Sequence, residues 1–273
     1  MRHLIRLTDF TAADIAEVFA LAHRYGRGTG PQIPGAAVMF FPDSSLRTRT
    51  TFELGAAQLG LQPVTFPPQT LDKPEALADV AGYLAQWANV VIARHPNIAV
   101  LEELAQANAL PVINAMTDVN HPCEVLSDLF TLGRDRDLTQ LKYVFVGADG
   151  NIARAWWEAA QVFNLDIVQC CPKELAIPGL AWTDDLLQAV AEADVILTDG
   201  PGKHAAVLAP FQVTAEVLAH APARVKLVPC PPFIRGREVS GDAIEHPAFV
   251  GYEFKRSLLP VQQAVMAFVL GAS

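Results

Sequence analysis

The chain has 273 residues, of which 51% are hydrophobic and 18% are charged, and its net charge is −9 at pH 7. This composition predicts one large or two medium folded domains, and the acidic balance without basic runs disfavours nucleic acid as a partner. The sequence has no apolar run of the ~20 residues that a membrane helix needs, and no secretory signal. Its four cysteines form no C-x-x-C pair. We therefore expect a cytoplasmic protein without disulfides or a zinc site.

Short apolar runs alternate with helical patterns along the whole chain. In the first half, the patterns predict strands at 36–41, 63–66, 89–93 and 111–114, and helices at 11–25, 48–59, 75–87 and 100–108. After a helix at 121–134, they predict strands at 143–146, 167–170, 195–198, 225–228 and, more weakly, 249–252, with helices at 152–163, 184–191 and 214–220. Such βαβ alternation is typical of parallel sheets covered by helices on both faces.

The strands restart at Tyr143 after the polar stretch GRDRDLTQLK. We therefore predict an α/β protein with two doubly wound domains, residues 1–134 and residues 135–257. The last apolar segment begins with Pro260 near its first turn, where a missing N–H costs little. We expect this helix, residues 258–271, to complete the first domain because a helix so apolar must be buried.

The segment FFPDSSLRTRTTFELG runs from the end of the first predicted strand into the next helix. A helix N-terminus offers free N–H groups and a partial positive charge, so Ser45, Arg47 and Thr48 there form a candidate phosphate site. The alternative is that Ser45 only caps the helix while Arg49 pairs with Glu53 one turn later. The segment is not a P-loop, because G-x-x-x-x-G-K-[ST] is absent.

Several segments, taken together and in order, resemble one known family over nearly the whole chain. They are SLRTRTTFE, DKPEALADVAGYL, ARHP, LPVINAMTDVNHPCEVLSDLFTL, VGADGNIARAWWEAA, VPCPPFIRGREVS and EFKRSLLPVQQAVM. This order resembles the aspartate and ornithine carbamoyltransferases, and is closest in pattern to the ornithine-type members. The resemblance implies an enzyme that moves the carbamoyl group of carbamoyl phosphate to an amino group, without a metal or organic cofactor.

The resemblance also implies which residues bind carbamoyl phosphate. They are Ser45, Leu46, Arg47, Thr48, Gln69, Lys73, Arg94, His121 and Glu124. Arg94 and His121 are implied at the carbonyl group, where they would stabilise developing negative charge and act with Thr48 in catalysis. Gln69 and Lys73 belong to a segment that serves a neighbouring subunit in the family, which implies a homotrimer with shared active sites. Taken alone, His121 could cap a helix, and PPQTLDKP could be a mobile loop.

A second set of residues is implied to bind the acceptor amino acid. It consists of Asn151, Asp199, Lys203, Cys230, Pro231 and Arg256, with Cys230 near the attacking amine and therefore also catalytic. Each has a structural alternative: Asn151 could cap a helix, Asp199 could begin the turn DGPG, and Cys230 could be a small buried group.

Four features depart from the family pattern. Glu124 replaces a glutamine, DGPGKHA replaces an aspartate followed after three residues by Ser-Met-Gly, Cys-Pro-Pro replaces Cys-Leu-Pro, and the chain is short. We expect ornithine or an ornithine-like amino acid as acceptor, giving citrulline or a related ureido product. A different amine acceptor and a non-catalytic carbamoyl-phosphate-binding relative remain alternatives. A dehydrogenase is disfavoured, because VGADGNIARA lacks G-x-G-x-x-G spacing and no acidic residue follows the next strand.

Overall fold

The computed structural model describes residues 1–272 of the chain. Helices and strands alternate through its first half. The helices are α1 Ala12–Gly26, α2 Leu46–Leu59, α3 Leu77–Leu84, α4 Ile98–Gln106 and α5 Pro122–Leu132. The strands are β1 Gly35–Phe40, β2 Leu61–Phe66, β3 Val90–Arg94 and β4 Val112–Met116. A 3-10 helix, Pro68–Asp72, follows β2.

The alternation continues through the second half, with shorter helices. The strands are β5 Lys142–Val146, β6 Asp166–Cys170, β7 Trp182–Thr183, β8 Val195–Thr198 and β9 Lys226–Pro229. The helices are α6 Asn151–Phe163, α7 Leu186–Val190, α8 Ala205–Leu208, α9 Ala215–Ala219, α10 Gly241–Glu245 and α11 Leu258–Val269. Two 3-10 helices matter below, Gly202–His204 and Glu253–Ser257.

The chain divides into two compact units, each built on one parallel sheet. Unit 1 comprises Met1–Thr131 and the residues from Lys255 onward, and its sheet has the strand order β2-β1-β3-β4. Unit 2 comprises Leu132–Phe254, and its sheet has the order β7-β6-β5-β8-β9. All strand pairs in both sheets are parallel. The predicted two-domain α/β fold with parallel sheets is therefore confirmed.

The buried strands explain why both sheets need helices around them. The residues of β3 from Val90 to Ala93 are fully buried, as are those of β8 from Val195 to Thr198. Strands buried on both faces read as continuous apolar runs, so helices must cover the sheet on each side. In this way the composition of single strands already determines the layered architecture.

Helix α11 packs against α1 and α2 within unit 1. Its residues from Val261 to Val269 are all buried, and the ring of Phe268 lies edge-on to Phe10 with 5.0 Å between centroids. Removal of such a buried aromatic ring typically costs about 3–5 kcal/mol. The last helix is therefore part of the core of unit 1.

Local signals place helix ends within a few residues of the predicted ones. Helix α1 begins after Thr11, whose Oγ1 accepts the Asp14 N–H at 3.1 Å while the Asp14 carboxylate accepts the Thr11 N–H at 2.9 Å. Helix α2 begins at Leu46, two residues before the prediction, and ends at Gly60 with φ 93°, a left-handed conformation that favours glycine.

In the described residues, no helix combines the length and apolarity needed to cross a membrane.

The predicted strand at 249–252 is wrong. Phe249 makes only an isolated bridge to Leu227, and Gly251 has φ 72°, which interrupts an extended conformation. The short strand Trp182–Thr183 at the edge of the unit 2 sheet was not predicted, because two residues give no recognisable alternation.

Candidate active site

The strand order locates a candidate binding edge in each unit. In unit 1 the order reverses between β1 and β3, and in unit 2 it reverses between β5 and β8. Ligands of open parallel sheets bind beyond the carboxyl ends of the strands at such a reversal. The chain segments that leave β1 and β3 carry Ser45 and Arg94, whereas those that leave β5 and β8 carry Asn151 and Asp199.

Ser45 and Arg94 meet at the reversal point of unit 1. Ser45 is 2% exposed, and its Oγ accepts a hydrogen bond from Arg94 Nη1 at 3.1 Å. Ser45 precedes α2 but makes no side-chain capping bond to it. Burial lowers the pKa of Arg94, while Asp118 opposes that change. The structure therefore uses the Ser45 hydroxyl to hold Arg94 rather than to cap the helix.

The first turn of α2 presents the other predicted phosphate ligands. Thr48 is buried, Arg47 is exposed, and Leu46 is 71% exposed. The Leu46 N–H donates to Ser44 O at 2.9 Å, so it must leave that partner before it can bind an anion. Arg49 pairs with Glu53 at 2.8 Å, as the spacing of four residues predicts. Glu53 therefore neutralises Arg49, and Arg47 is the arginine of this turn that is available to bind an anion.

His121 lies immediately before α5 and is 6% exposed. Burial lowers its pKa to about 4, with Arg94 and Lys255 adding to the effect and Glu124 opposing it. The ring is therefore neutral near pH 7 and carries one N–H donor. Its Nδ1 is buried and has no hydrogen-bond partner among the described residues. A neutral donor of this kind suits a carbonyl oxygen better than it suits a cation.

Gln69 and Lys73 lie at the 3-10 helix after β2, and both are exposed. The segment is tied to unit 1 by Asp72, whose Oδ1 lies 3.0 Å from His95 Nε2. Within the described part of the chain, neither Gln69 nor Lys73 forms a hydrogen bond or ion pair with Ser45 or Arg94. Their place in unit 1 therefore leaves them facing solvent.

In unit 2, the turn after β5 approaches the end of β8. Asn151 is the first residue of α6, and Gly150, not Asn151, occupies the capping position. A Cβ on Gly150 would lie 3.9 Å from Asp199 Oδ2. Asp199 Oδ1 accepts the Gly200 N–H at 2.8 Å, which is the turn contact expected of a structural aspartate. One carboxylate oxygen thus supports the turn, and the other points towards the α6 side.

Cys230 follows β9, next to the end of β8. Its N–H donates to Thr198 O at 2.9 Å, and its side chain is buried, with the residue 8% exposed. Pro231 is partly buried and precedes a cis bond to Pro232. Lys203 lies on the 3-10 helix after β8 and is exposed. The segments that carry Asn151, Asp199 and Cys230 therefore converge at one edge of the unit 2 sheet.

Arg256 differs from the other predicted acceptor residues because it belongs to unit 1. It is exposed and lies on the 3-10 helix Glu253–Ser257, after the chain has returned from unit 2 at Lys255. Across residues 1–272, no three His, Cys, Asp or Glu side chains are arranged to hold a metal ion, and the four buried cysteines form no disulfide bond.

Comparison with known proteins agrees with this geometry. Residues 2–134 match the family model described as aspartate/ornithine carbamoyltransferase, carbamoyl-P binding domain, and residues 139–269 match the one described as its Asp/Orn binding domain. The ornithine carbamoyltransferase of Sorangium cellulosum is 32% identical over 305 residues, covering 99% of this chain and 98% of that protein. The chain belongs to the aspartate/ornithine carbamoyltransferase family.

Other relatives support the same assignment. The ornithine carbamoyltransferase of Geobacter sulfurreducens is 29% identical, with 99% of each chain covered. The solved structure of the ornithine carbamoyltransferase from Pyrococcus furiosus matches with a TM-score of 0.91 and 28% identity, covering 100% of this chain and 98% of that one. The predicted family and the predicted enzyme class, a carbamoyltransferase, are therefore confirmed.

The carbamoyltransferase contains an ion cluster that sequence analysis missed. Lys255 Nζ lies 2.7 Å from Glu124 Oε1 and 2.6 Å from Asp128 Oδ1, and the two carboxylate side chains are at most 6% exposed. Glu124 and Asp128 lie one turn apart on α5. Two acidic residues four positions apart on one helix were visible in the sequence, but their pairing with a lysine 131 residues away from Glu124 was not.

The enzyme also has a pocket of about 280 Å³ in unit 2 that begins at the end of β5. Its polar lining consists of Asp199, Gln212, Arg237 and Glu238. Glu238 is 7% exposed; its Oε1 accepts the Ile234 N–H at 2.7 Å, and its Oε2 is buried without a partner among the described residues. Sequence analysis singled out the segment IRGREVS only as part of the family pattern and gave Arg237 and Glu238 no role.

Proposed function

We propose that the enzyme transfers the carbamoyl group of carbamoyl phosphate to the amino group of ornithine or an ornithine-like amino acid. The products are citrulline, or a related ureido compound, and phosphate. The observation that carries the proposal is the hydrogen bond from Arg94 to the buried Ser45 hydroxyl. It joins residues 49 positions apart at the edge where a parallel sheet binds ligands.

Carbamoyl phosphate binds to unit 1 in this proposal. Its phosphate group lies at the start of α2, where the helix dipole, Arg47 and the buried Thr48 side chain favour an anion. Leu46 contributes its backbone N–H, and Gln69 and Lys73 act from the segment after β2. Charge-assisted hydrogen bonds from arginine to phosphate are about twice as strong as neutral ones.

The carbonyl group lies between Arg94 and His121. As the amine attacks, negative charge grows on the carbonyl oxygen, and both side chains donate hydrogen bonds to it. His121 donates as a neutral imidazole, because burial keeps its pKa near 4. The C–N bond to the amine forms, the C–O bond to phosphate breaks, and phosphate leaves with the electron pair of that bond. Positioning and charge stabilisation suffice, with no covalent intermediate on the enzyme.

The acceptor amino acid binds to residues of unit 2. Asp199 binds its α-ammonium group, Asn151 and Lys203 bind near its carboxylate, and Cys230 with the Pro231 carbonyl directs the reacting amine. Arg256 contributes from unit 1. The amine must lose a proton to react, and Asp199, Cys230 and the departing phosphate are the three candidate acceptors. The convergence of the Asn151, Asp199 and Cys230 segments supports this role.

A different amine acceptor is the second candidate, and one observation favours it. After Asp199 the chain forms a 3-10 helix that leaves Lys203 exposed, and the pocket beside Asp199 is lined by Arg237 and Glu238. These charged groups add recognition elements that a simple diamino acid need not use. The acceptor is therefore tested with a panel and not with ornithine alone.

We also propose that the active enzyme is a cytoplasmic homotrimer whose subunits share active sites. Supporting this, unit 1 exposes several large apolar side chains, namely Leu46, Leu54, Val64, Phe66, Tyr83 and Trp87. Exposed apolar groups in this number suit an interface between copies. Light scattering of the purified protein should give three times the mass of 29.5 kDa. A monomeric and fully active enzyme would contradict the shared site.

The deciding experiment measures ureido product from carbamoyl phosphate with ornithine, shorter diamino acids, putrescine and aspartate. The highest kcat/KM with ornithine supports the first candidate. A clear preference for another amine supports the second. Binding of carbamoyl phosphate without product from any amine would contradict both.

A further inference from the structure

The Glu124–Lys255–Asp128 cluster lies beside the residues proposed to bind carbamoyl phosphate. Glu124 is three positions after His121, and the pKa of Glu124 responds to the charges of Lys255 and Arg47. Lys255 also lowers the pKa of His121. The charge of the buried Glu124 carboxylate therefore interacts with Arg47, proposed to bind the phosphate group, and with His121, proposed to bind the carbonyl group.

A carboxylate here opposes the binding of an anionic substrate unless it is neutralised. Charges interact more strongly in a site from which water is excluded, so an unpaired Glu124 would repel a phosphate dianion and attract Arg47 to itself. Burial alone would raise the pKa of Glu124, but the Lys255 ammonium group holds it below its usual value. Burial raises the pKa of Asp128 to about 7, with the charge of Glu124 adding to the effect and Lys255 opposing it.

The two carboxylates therefore share one lysine. Lys255 lowers the pKa of Glu124 and opposes the rise in the pKa of Asp128, so its ammonium group compensates both buried carboxylates. The side chain of Lys255 is 19% exposed, so the pair is largely shielded from salt and water.

We propose that Lys255 is a positioning residue that neutralises Glu124, so that a carboxylate can lie beside the carbamoyl phosphate site without repelling the substrate. This inference rests on the proposed function of unit 1. Lys255 acts through Glu124 and needs no contact with the substrate. The competing explanation is that Lys255 only ties its own segment to α5 and stabilises the fold.

Two pairs of variants separate these explanations. Glu124→Gln removes one carboxylate and leaves the Lys255–Asp128 pair, whereas Asp128→Asn leaves the Lys255–Glu124 pair. Lys255→Met is then added to each. Both double variants keep one buried carboxyl group on α5 without its lysine partner, and thermal unfolding verifies that they are similarly affected in stability.

The measurement is the dissociation constant of carbamoyl phosphate by calorimetry, together with its KM and the kcat of transfer. Lys255→Met should weaken carbamoyl phosphate binding about tenfold in the Asp128→Asn background, where Glu124 is left unpaired. It should weaken binding less than about threefold in the Glu124→Gln background. Lys255→Arg in the Asp128→Asn background should recover most of the loss. Equal weakening in both backgrounds overturns the inference.

The pH dependence of carbamoyl phosphate affinity is a second measurement. It should be the same in both double variants if Lys255 only stabilises the fold. The charged and titratable groups facing Glu124 are Lys255, Asp128, His121, Arg47 and the buried Cys123 thiol. Without Lys255 the pKa of Glu124 rises, so its negative charge develops as the pH increases. Carbamoyl phosphate affinity relative to wild type should then fall with pH in the Asp128→Asn/Lys255→Met variant and not in the Glu124→Gln/Lys255→Met variant.

The outcomes also separate this inference from the proposed function. If the wild type binds carbamoyl phosphate but forms no ureido product, the proposed transfer is wrong, and the binding comparison still decides the role of Lys255. If the wild type does not bind carbamoyl phosphate, both are wrong. Parallel pH profiles of the two double variants overturn the role of Lys255 alone.

Discussion

His95 and Asp72 form a hydrogen bond of 3.0 Å that ties the segment after β2 to the end of β3. A carboxylate only accepts hydrogen bonds, so His95 Nε2 donates to Asp72, while His95 Nδ1 lies 3.1 Å from the backbone N and 3.2 Å from the backbone O of Asn97. His95 is 4% exposed and follows Arg94 directly. The segment that carries Gln69 and Lys73 is therefore anchored next to an arginine proposed to bind substrate.

Replacing Asp72 should loosen this segment. Asp72→Ala removes the acceptor of the buried His95 N–H, which typically costs about 1–3 kcal/mol. We expect faster amide exchange in residues 68–73 and a higher KM for carbamoyl phosphate. Glu75→Ala, at an exposed acidic residue nearby, is the matched control. Equal exchange in the two variants would show that the hydrogen bond does not hold the segment.

Arg47 and Arg49 differ by two positions on α2 but should differ strongly in function. Arg49 already pairs with Glu53, whereas Arg47 is free to meet a phosphate group. Arg47→Ala should lower kcat/KM for carbamoyl phosphate by about 2 kcal/mol, roughly thirtyfold, through loss of a charge-assisted contact. Arg49→Ala should have a much smaller effect. Similar losses of kcat/KM in the two variants would contradict the assignment of the phosphate contact to Arg47 and not to Arg49.

Features that depend on a few neighbouring residues could be predicted from the sequence. Features that depend on contacts between residues far apart in the chain could be seen only in the structure. The apolar strands and the S-L-R-T-R turn at the start of α2 were predictable, because periodicity and helix-end chemistry act over a few residues. The partner of Glu124 was not, because Lys255 is 131 residues away and only the fold brings it to α5. For the same reason, the sequence did not show that Arg237 and Asp199 line one pocket in unit 2.

The low pKa of His121 predicts a specific loss of stability in acid. Its pKa is about 4 when folded and about 6.5 in an unfolded chain, so protonation favours the unfolded state. The stability that the neutral ring provides is complete above pH ~6.5 and is lost as the pH falls towards 4, by about 2 kcal/mol at pH ~5. The difference in free energy of unfolding between wild type and His121→Asn should shrink accordingly.

The control for this prediction is His220→Asn, because His220 is exposed. Urea unfolding at several pH values should show a wild-type advantage over His121→Asn that shrinks as the pH falls, and this change should exceed any seen for the exposed-site variant His220→Asn. Curves for wild type and His121→Asn that run parallel from pH ~7.5 to pH ~5 are incompatible with a buried neutral His121.

The buried amide of Gln262 predicts a stabilising substitution. Gln262 is fully buried in α11, and neither its Nε2 nor its Oε1 has a hydrogen-bond partner among the described residues. An unsatisfied buried polar group costs about 1–3 kcal/mol, so Gln262→Met should raise the free energy of unfolding by roughly that amount. Gln263→Met should not, because Gln263 Nε2 donates to Gln58 Oε1 at 3.1 Å. Destabilisation by both substitutions would indicate that Gln262 is satisfied in solution.

The unit 2 pocket predicts that Arg237 helps to choose the acceptor. Arg237 lines the same pocket as Asp199, so in the second candidate function an acceptor whose ammonium group meets Asp199 can place its carboxylate near Arg237 and not near Asn151 and Lys203. Arg237→Ala should raise the KM of the acceptor about tenfold or more, because a charge-assisted hydrogen bond is lost, while the KM of carbamoyl phosphate changes little. Arg235→Ala is the matched control, since Arg235 is exposed on the same segment and does not line the pocket. If the two variants have the same acceptor KM, the carboxylate binds elsewhere; an amine without a carboxylate, such as putrescine, should be insensitive to Arg237→Ala.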